Sequence, residues 1–148
     1  MAIAAIHPRL LVGALTLLPL LVGCGGEDYP ETIPVRGTVT YEGKPLPDAE
    51  IGFYPADGGS GNVGGGTTDA NGIYKLTTFE INDGARPGEY DVIVQLFDRP
   101  ITIPAKYANE KTTPLKANVS TDQKEVVFDI VIDKSDGPPT PKPAYPLP

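Results

Sequence analysis

Short runs of alternating apolar and polar residues fill residues 35–133, and each run ends at Gly, Pro or Asn. A period of two places every second side chain on one face, as a β-strand packed against a core requires. Turn signals recur about every 8–12 residues, a spacing typical of a β-sandwich. The stretch therefore predicts a single all-β domain, a β-sandwich of about seven strands.

The alternation also predicts which side chains form the core. The most regular run covers residues 89–97, and an irregular crossing with two prolines follows it, with Ile101 and Ile103 turned inward. In the last strand Val127 and Val131 alternate with the core positions, which predicts that this strand is covered on both faces. The other predicted inward residues are Val35, Val39, Tyr41, Ile51, Phe53, Tyr74, Leu76, Tyr90, Val92, Val94, Leu96, Leu115, Ala117, Val119, Val126, Phe128, Ile130 and Ile132.

Two segments partly match known ligand-binding loops, but each lacks residues that such a site needs. Residues 55–66 are rich in glycine, but they lack the Lys and Ser/Thr of a phosphate-binding loop, so a flexible connector is predicted. Asp69 and Asn71 resemble half of a calcium loop, yet the bidentate Glu is missing, and a tight turn accounts for both residues. No cofactor and no metal site is predicted.

The charge of the chain argues against one class of partner. The net charge is −7 and the isoelectric point is about 4.6. An acidic domain repels phosphate backbones, so nucleic acid is not expected to bind.

The pattern of the N-terminal residues is typical of a targeting segment. Arg9 gives a positive start, and an apolar run of about 13 residues ends at Val22. That length suits a signal peptide and falls short of the ~20 residues of a membrane-spanning helix. The sequence therefore predicts a signal peptide over residues 1–23.

The end of the apolar run, Leu21-Val22-Gly23-Cys24, resembles the bacterial lipobox, and Cys24 is the only cysteine. The resemblance implies cleavage before Cys24, three acyl chains on that residue and, because Gly rather than Asp follows it, the outer membrane. An ordinary signal peptide with a chance cysteine, or an uncleaved anchor, are the alternatives. More than one acyl chain is what stable anchoring requires.

Cleavage at this point would also limit the chemistry of the mature chain. His7 is the only histidine and would leave with the signal peptide. Ser-His-Asp and Cys-His catalysis and His-ligated metal sites would then be excluded. The prediction is a protein that is not an enzyme; catalysis by two carboxylates facing one cleft is the alternative.

Three segments resemble carboxypeptidase regulatory-like domains, in the same order as in that family. They are residues 35–49 (VRGTVTYEGKPLPDA), 68–74 (TDANGIY) and 87–92 (PGEYDV). With the lipobox and residues 103–107 (IPAKY), the chain is similar to small lipoproteins common in planctomycete-like bacteria. The resemblance implies a Greek-key β-sandwich of the transthyretin-like (prealbumin-like) type and no shared catalytic residues.

The expected organisation is a tether at 24–34, the sandwich at 35–134 and a disordered proline-rich tail at 135–148. Two prolines keep the tether extended, which predicts that it holds the domain off the lipid surface. The tail is either a solvated end or a ligand for a partner's aromatic groove.

The function expected is a non-catalytic, lipid-anchored β-sandwich of the cell envelope with a binding or structural role. Its partners would be the membrane, through the lipid, and an envelope protein or glycan. The alternative is a carbohydrate-binding module that stacks sugars on tyrosines. The available rings are those of Tyr41, Tyr54, Tyr74, Tyr90 and Tyr107.

Overall fold

Two β-sheets face each other in the computed structural model, which describes residues 28–58, 62–97 and 100–141. Short 3₁₀ helices lie at Ala105–Ala108 and Lys134–Asp136. Within the described ranges, no helix is both long and apolar enough to cross a membrane. The strands are β1 (Val35–Tyr41), β2 (Lys44–Pro45), β3 (Ala49–Pro55), β4 (Gly64–Thr67), β5 (Ile73–Lys75), β6 (Gly88–Leu96), β7 (Lys116–Val119), β8 (Val126–Val127) and β9 (Ile130–Ile132).

The first sheet is built around β1. Strands β2 and β5 pair with it antiparallel, and β8 and β9 pair with it in parallel. Val35 lies opposite Val126 and Val39 opposite Ile130, so β8 and β9 keep one register and form a single interrupted strand. The second sheet is antiparallel in the order β4-β3-β6-β7. Counting β8–β9 once and leaving out the two-residue β2 gives seven strands, so the predicted sandwich of about seven strands is confirmed.

The connection between the sheets is a Greek key. Strands β3 and β4 form an antiparallel pair, and Gly65 at β4 bridges to Thr77, just after β5. The chain then returns in β6 to pair with the other side of β3. The order β6-β3-β4-β5 places the fourth strand beside the first, which defines this motif.

The core lies between the inner faces that the alternation predicts. Phe53 is at its centre, with ring centroids 5.7 Å from both Tyr90 and Phe128. Each such side chain contributes about 1.5–3 kcal/mol when fully buried. The predicted inward positions that are buried are Val35, Val39, Ile51, Phe53, Tyr74, Leu76, Tyr90, Val92, Val94, Ala117, Val119, Val126, Ile130 and Ile132, while Tyr41, Leu96, Leu115 and Phe128 are partly buried against them.

Part of the predicted flexible connector is a strand. β4 occupies Gly64–Thr67 and runs beside β3. A Cβ on Gly66 would lie 2.5 Å from the carbonyl oxygen of Lys75, so glycine here permits close approach of two backbones. Three consecutive glycines carry no side chains that could alternate, which is why the strand escapes a pattern-based prediction.

Two expectations about buried residues are wrong. Ile101 is 42% exposed, whereas Ile103 is buried. Val127 and Val131 are 53% and 63% exposed, so β8 and β9 are covered on one face. The outer face of the first sheet carries no covering layer in the part of the chain that the structure describes, and the alternation cannot show whether a second layer exists.

Packing continues beyond residue 134. The amide of Ala105 donates to the carbonyl of Pro138 (2.8 Å), and the amide of Thr140 donates to the carbonyl of Ile103 (2.8 Å). The first residues of the segment expected to be a disordered tail therefore lie against the domain. Residues 142–148 are outside the described ranges.

Candidate functional site

The predicted lipidation residue, Cys24, lies outside the described residues, as does the signal peptide. The described residues begin at Asp28, four positions after Cys24 and within the predicted tether. The end of the domain that receives this tether is therefore the place where an anchor at Cys24 would act.

The tether joins the sandwich through a two-residue bridge. The amide of Ile33 donates to the carbonyl of Ala85 (2.8 Å), and the amide of Ala85 donates back (3.0 Å). Ile33 is buried in the core cluster. Gly84 makes the approach possible, because a Cβ there would lie 1.9 Å from the carbonyl oxygen of Ile33. The second half of the tether is thus part of the folded domain rather than a free spacer.

An aromatic pair fixes the tether further toward its start. The ring of Tyr29 stacks on that of Phe79, with centroids 5.0 Å apart and planes 14° from parallel. Offset stacking of this kind adds about 0.5–1.5 kcal/mol beyond area burial. Tyr29 is five positions after Cys24, so the predicted anchor is close in sequence to a residue that contacts Phe79 of the 77–84 loop.

The 77–84 loop is held by one carboxylate. Asp83 accepts backbone hydrogen bonds from Thr78 (2.7 Å), Phe79 (2.9 Å) and Glu80 (3.0 Å). Partial burial would raise the pKa of Asp83, but the bonds from these amides outweigh it and hold the pKa below its usual value. The Thr78 hydroxyl also donates to the carbonyl of Gly84 (2.6 Å). The loop is therefore well defined, although it contains no strand.

The tip of this loop presents an apolar side chain to solvent. The amide of Asp83 donates to the carbonyl of Glu80 (3.0 Å), which closes a turn with Ile81 and Asn82 at its centre. Asn82 has a positive φ of 63°, a conformation that Asn tolerates. Ile81 is 88% exposed. The alternation did not predict this exposed Ile, which lies two residues after Phe79 in a loop without a strand.

The residues after β9 lie at the other end of β1. Lys134 donates its amide to the Glu42 carboxylate, just beyond that end. The Tyr107 hydroxyl donates to Asp136 (2.8 Å), and Lys106 lies 3.7 Å from the same carboxylate. Burial and then this hydrogen bond raise the pKa of Tyr107 to about 12. The tether and the proline-rich segment thus join the sandwich at opposite ends of β1.

The acidic residues of the strands have local structural partners. Asp91 pairs with Lys116. Asp129 accepts from both the amide and the hydroxyl of Thr38 (2.8 Å each). The carboxylate of Asp69 accepts from the amides of Asn71 and Ile73, as a tight turn requires. Among the described residues, no three His, Cys, Asp or Glu side chains come together as a metal site would need.

The tyrosines considered as sugar platforms divide into two groups. Tyr74, Tyr90 and Tyr107 are buried, so their ring faces are covered by the core. Tyr41 and Tyr54 are partly exposed. One depression of about 520 Å³ is lined by residues of β4, β5 and the turn between them, including Asp69 and Lys75, but by no exposed aromatic ring. The structure therefore brings no tyrosine platform together at this depression.

No protein-family model matches the chain, and no curated protein matches it. Among solved structures, it is similar to the major pilin subunit BcpA of Bacillus cereus, with a TM-score of 0.47 and 18% identity over 71% of this chain and 31% of that one. It is also similar to a 9R-lipoxygenase from Cyanothece, with a TM-score of 0.39 and 19% identity over 70% of this chain and 16% of that one. The chain spans less than a third of the length of either protein.

Proposed function

We propose that this protein is a lipid-anchored, non-catalytic β-sandwich of the cell envelope with a binding or structural role. Its anchor is Cys24, and its sandwich is of the carboxypeptidase regulatory-like type. The membrane is the first partner, and an envelope protein or glycan is the second. Gly25, which follows Cys24 where Asp would favour the inner membrane in the family that the lipobox resembles, supports an outer-membrane location.

The observation that carries the proposal is the continuity between the apolar N-terminal run and the domain. The only cysteine ends that run at the position that a lipobox requires. Five residues later Tyr29 stacks on the domain, and Ile33 enters the core. An acyl chain on Cys24 would therefore hold the folded domain close to the lipid surface, because the linker between them is short.

The chemistry of the domain supports a role without catalysis. In the described ranges, no buried side-chain nitrogen or oxygen lacks a hydrogen-bond partner. Carboxylates that could act as acids or bases instead hold backbone amides or pair with lysine, as Asp83, Asp129 and Asp91 do. These groups stabilise turns and strand pairs, which is what a scaffold requires.

Metabolic labelling tests the anchor. Cells that express the protein are grown with radiolabelled palmitate, and the label in the purified protein is measured beside its distribution between membrane and soluble fractions. We expect label and membrane location in the natural chain and loss of label in Cys24→Ser. Gly25→Ser is the matched control, since it changes the adjacent residue and keeps the thiol. Equal labelling and location of all three would refute the anchor.

The membrane assignment has its own test. In the family that the lipobox resembles, Asp after the cysteine favours the inner membrane. Gly25→Asp should therefore move the labelled protein from outer-membrane to inner-membrane fractions on a density gradient, whereas Gly25→Ser should leave it in place. An unchanged distribution would contradict the outer-membrane assignment and leave the lipid anchor standing.

A further inference from the structure

We infer that the 77–84 loop is a second membrane contact, with Ile81 inserted into the lipid surface to which Cys24 is attached. This inference rests on the proposed lipid anchor and adds an orientation to it. It names the end of the sandwich that faces the bilayer and the side chain that enters it.

Chain length brings the loop to the membrane. Tyr29 is five positions after Cys24, and a fully extended chain spans at most about 3.6 Å per position, or about 18 Å in total. Tyr29 stacks on Phe79, and Ile81 is two residues further along the same loop. An acylated Cys24 sits at the bilayer surface, so it confines this loop to the neighbourhood of the headgroups.

Hydrogen bonds within the protein already fix the conformation of the loop, so insertion does not have to order it. Asp83 holds three consecutive amides, and the turn it closes presents Ile81 outward, 88% exposed. The Gly84 amide also donates to the carbonyl of Leu76 (2.9 Å), which ties the loop to the end of β5. A preorganised loop loses little conformational entropy on insertion, so most of the gain from burying Ile81 is retained.

The acidic residues near the loop indicate which lipid headgroups it would contact. Three exposed carboxylates belong to the same part of the molecule. Glu80 directly precedes Ile81, and Asp28 and Glu31 lie within two residues of Tyr29, whose ring stacks on Phe79. These residues repel anionic headgroups, so a zwitterionic surface is the expected partner. One Ile does not anchor a protein by itself; the acyl chains keep the local concentration high, and Ile81 sets the orientation.

A single introduced tryptophan tests the contact, because the natural chain contains none. The full chain carrying Ile81→Trp is purified from membranes and reconstituted into phosphatidylcholine vesicles with or without brominated acyl chains. We expect bromine to reduce its emission on the order of twofold, since interfacial insertion reaches the upper acyl region. Val131→Trp is the matched control: Val131 is 63% exposed on the outer face of the first sheet, and its tryptophan should keep its emission.

Equal quenching of the two variants, or quenching of neither, would overturn the inference. An emission shift of Ile81→Trp that requires envelope proteins and does not occur with lipid alone would also overturn it, because the loop would then contact a protein. Unchanged thermal midpoints would show that both variants fold.

The intact mass of the same preparation separates this inference from the proposed anchor. An acylated protein without quenching at position 81 contradicts the loop contact alone. An unacylated protein contradicts the anchor; the loop is then tested after coupling a maleimide phospholipid to Cys24, the only thiol. Quenching at position 81 in that coupled protein supports the geometry, and its absence refutes it.

Discussion

The carbonyl oxygen of Phe128 lies directly over Gly37, where a Cβ would come within 1.9 Å of it. The same oxygen accepts the hydroxyl of Tyr74 at 2.7 Å. Gly37 therefore lets the interrupted strand β8–β9 approach β1 between its two paired segments. The ring of Tyr74 lies beside this carbonyl, 2.9 Å from the same Cβ position.

Gly37→Ala should destabilise the domain by about 3 kcal/mol, at the upper end of the usual range for overpacking, because neither close neighbour is a flexible side-chain end. Urea unfolding followed by circular dichroism measures the change. Gly65→Ala is the control: its Cβ would meet its nearest neighbour at an ordinary 4.0 Å. If Gly37→Ala lowers the free energy of unfolding no more than Gly65→Ala does, the Phe128 carbonyl is not held tightly against Gly37.

Tyr74→Phe tests the hydrogen bond that ends at the same carbonyl. The ring stays in the core, and the Phe128 oxygen loses its donor, so a loss of about 0.5–1.5 kcal/mol is expected. Burial raises the pKa of Tyr74 well above its usual value, so the hydroxyl remains a donor at all ordinary pH values. The free energy of unfolding should therefore differ between the two proteins by the same amount at pH 6 and pH 8. A difference confined to one of these pH values would contradict this.

The last strand offers a test of its single covered face. Ile130→Ala should cost about 2–5 kcal/mol, because Ile130 is almost fully buried and leaves a cavity. Val131→Ala, one position along and exposed, should change stability by about 0.5 kcal/mol or less. Thermal unfolding of the two variants measures the contrast. Comparable losses would mean that the outer face is covered after all.

The 77–84 loop should depend on pH through Asp83. The pKa of this carboxyl is lowered in the folded protein, so its contribution to stability is complete above its unfolded pKa of about 4. That contribution is lost as the pH falls through the lowered value. The hydrogen-exchange protection of the Thr78, Phe79 and Glu80 amides should fall over the same range.

In Asp83→Ala these three amides should lose protection at neutral pH as well. The amides of β6 serve as the internal control and should remain protected in both proteins. Unchanged protection in the variant would assign the order of the loop to its other hydrogen bonds.

Alternation predicted most of the fold because the main core lies between the inner faces of the two sheets. Each long strand turns one row of apolar side chains inward, as Val92 and Val94 do in β6, and period two shows that row directly. Ile93, on the alternate face of β6, is buried as well, and period two does not show this. It failed for β4, where glycines leave no row, and for Val131, where an apolar side chain faces solvent. Burial of an alternate face depends on whether another layer exists, and that is not a property of the strand itself.

Of the candidate site, the sequence indicated only the proposed lipidation residue. The lipobox resemblance names Cys24, but the contacts of Tyr29 and Ile33 that hold the tether on the sandwich were missed. Pro34 separates Ile33 from the alternating row that begins at Val35, and Ile81 lies two residues after Phe79 in a segment without a strand. Ile33 pairs with Ala85, which is distant in sequence, and the exposure of Ile81 depends on the turn that carries it; local patterns show neither.

Whether Cys24 becomes an acylated N-terminus is measured by intact mass spectrometry of the protein purified from membranes. We expect a chain that begins at Cys24 and carries the mass of three acyl chains. An unmodified chain that still begins at Met1 would contradict it.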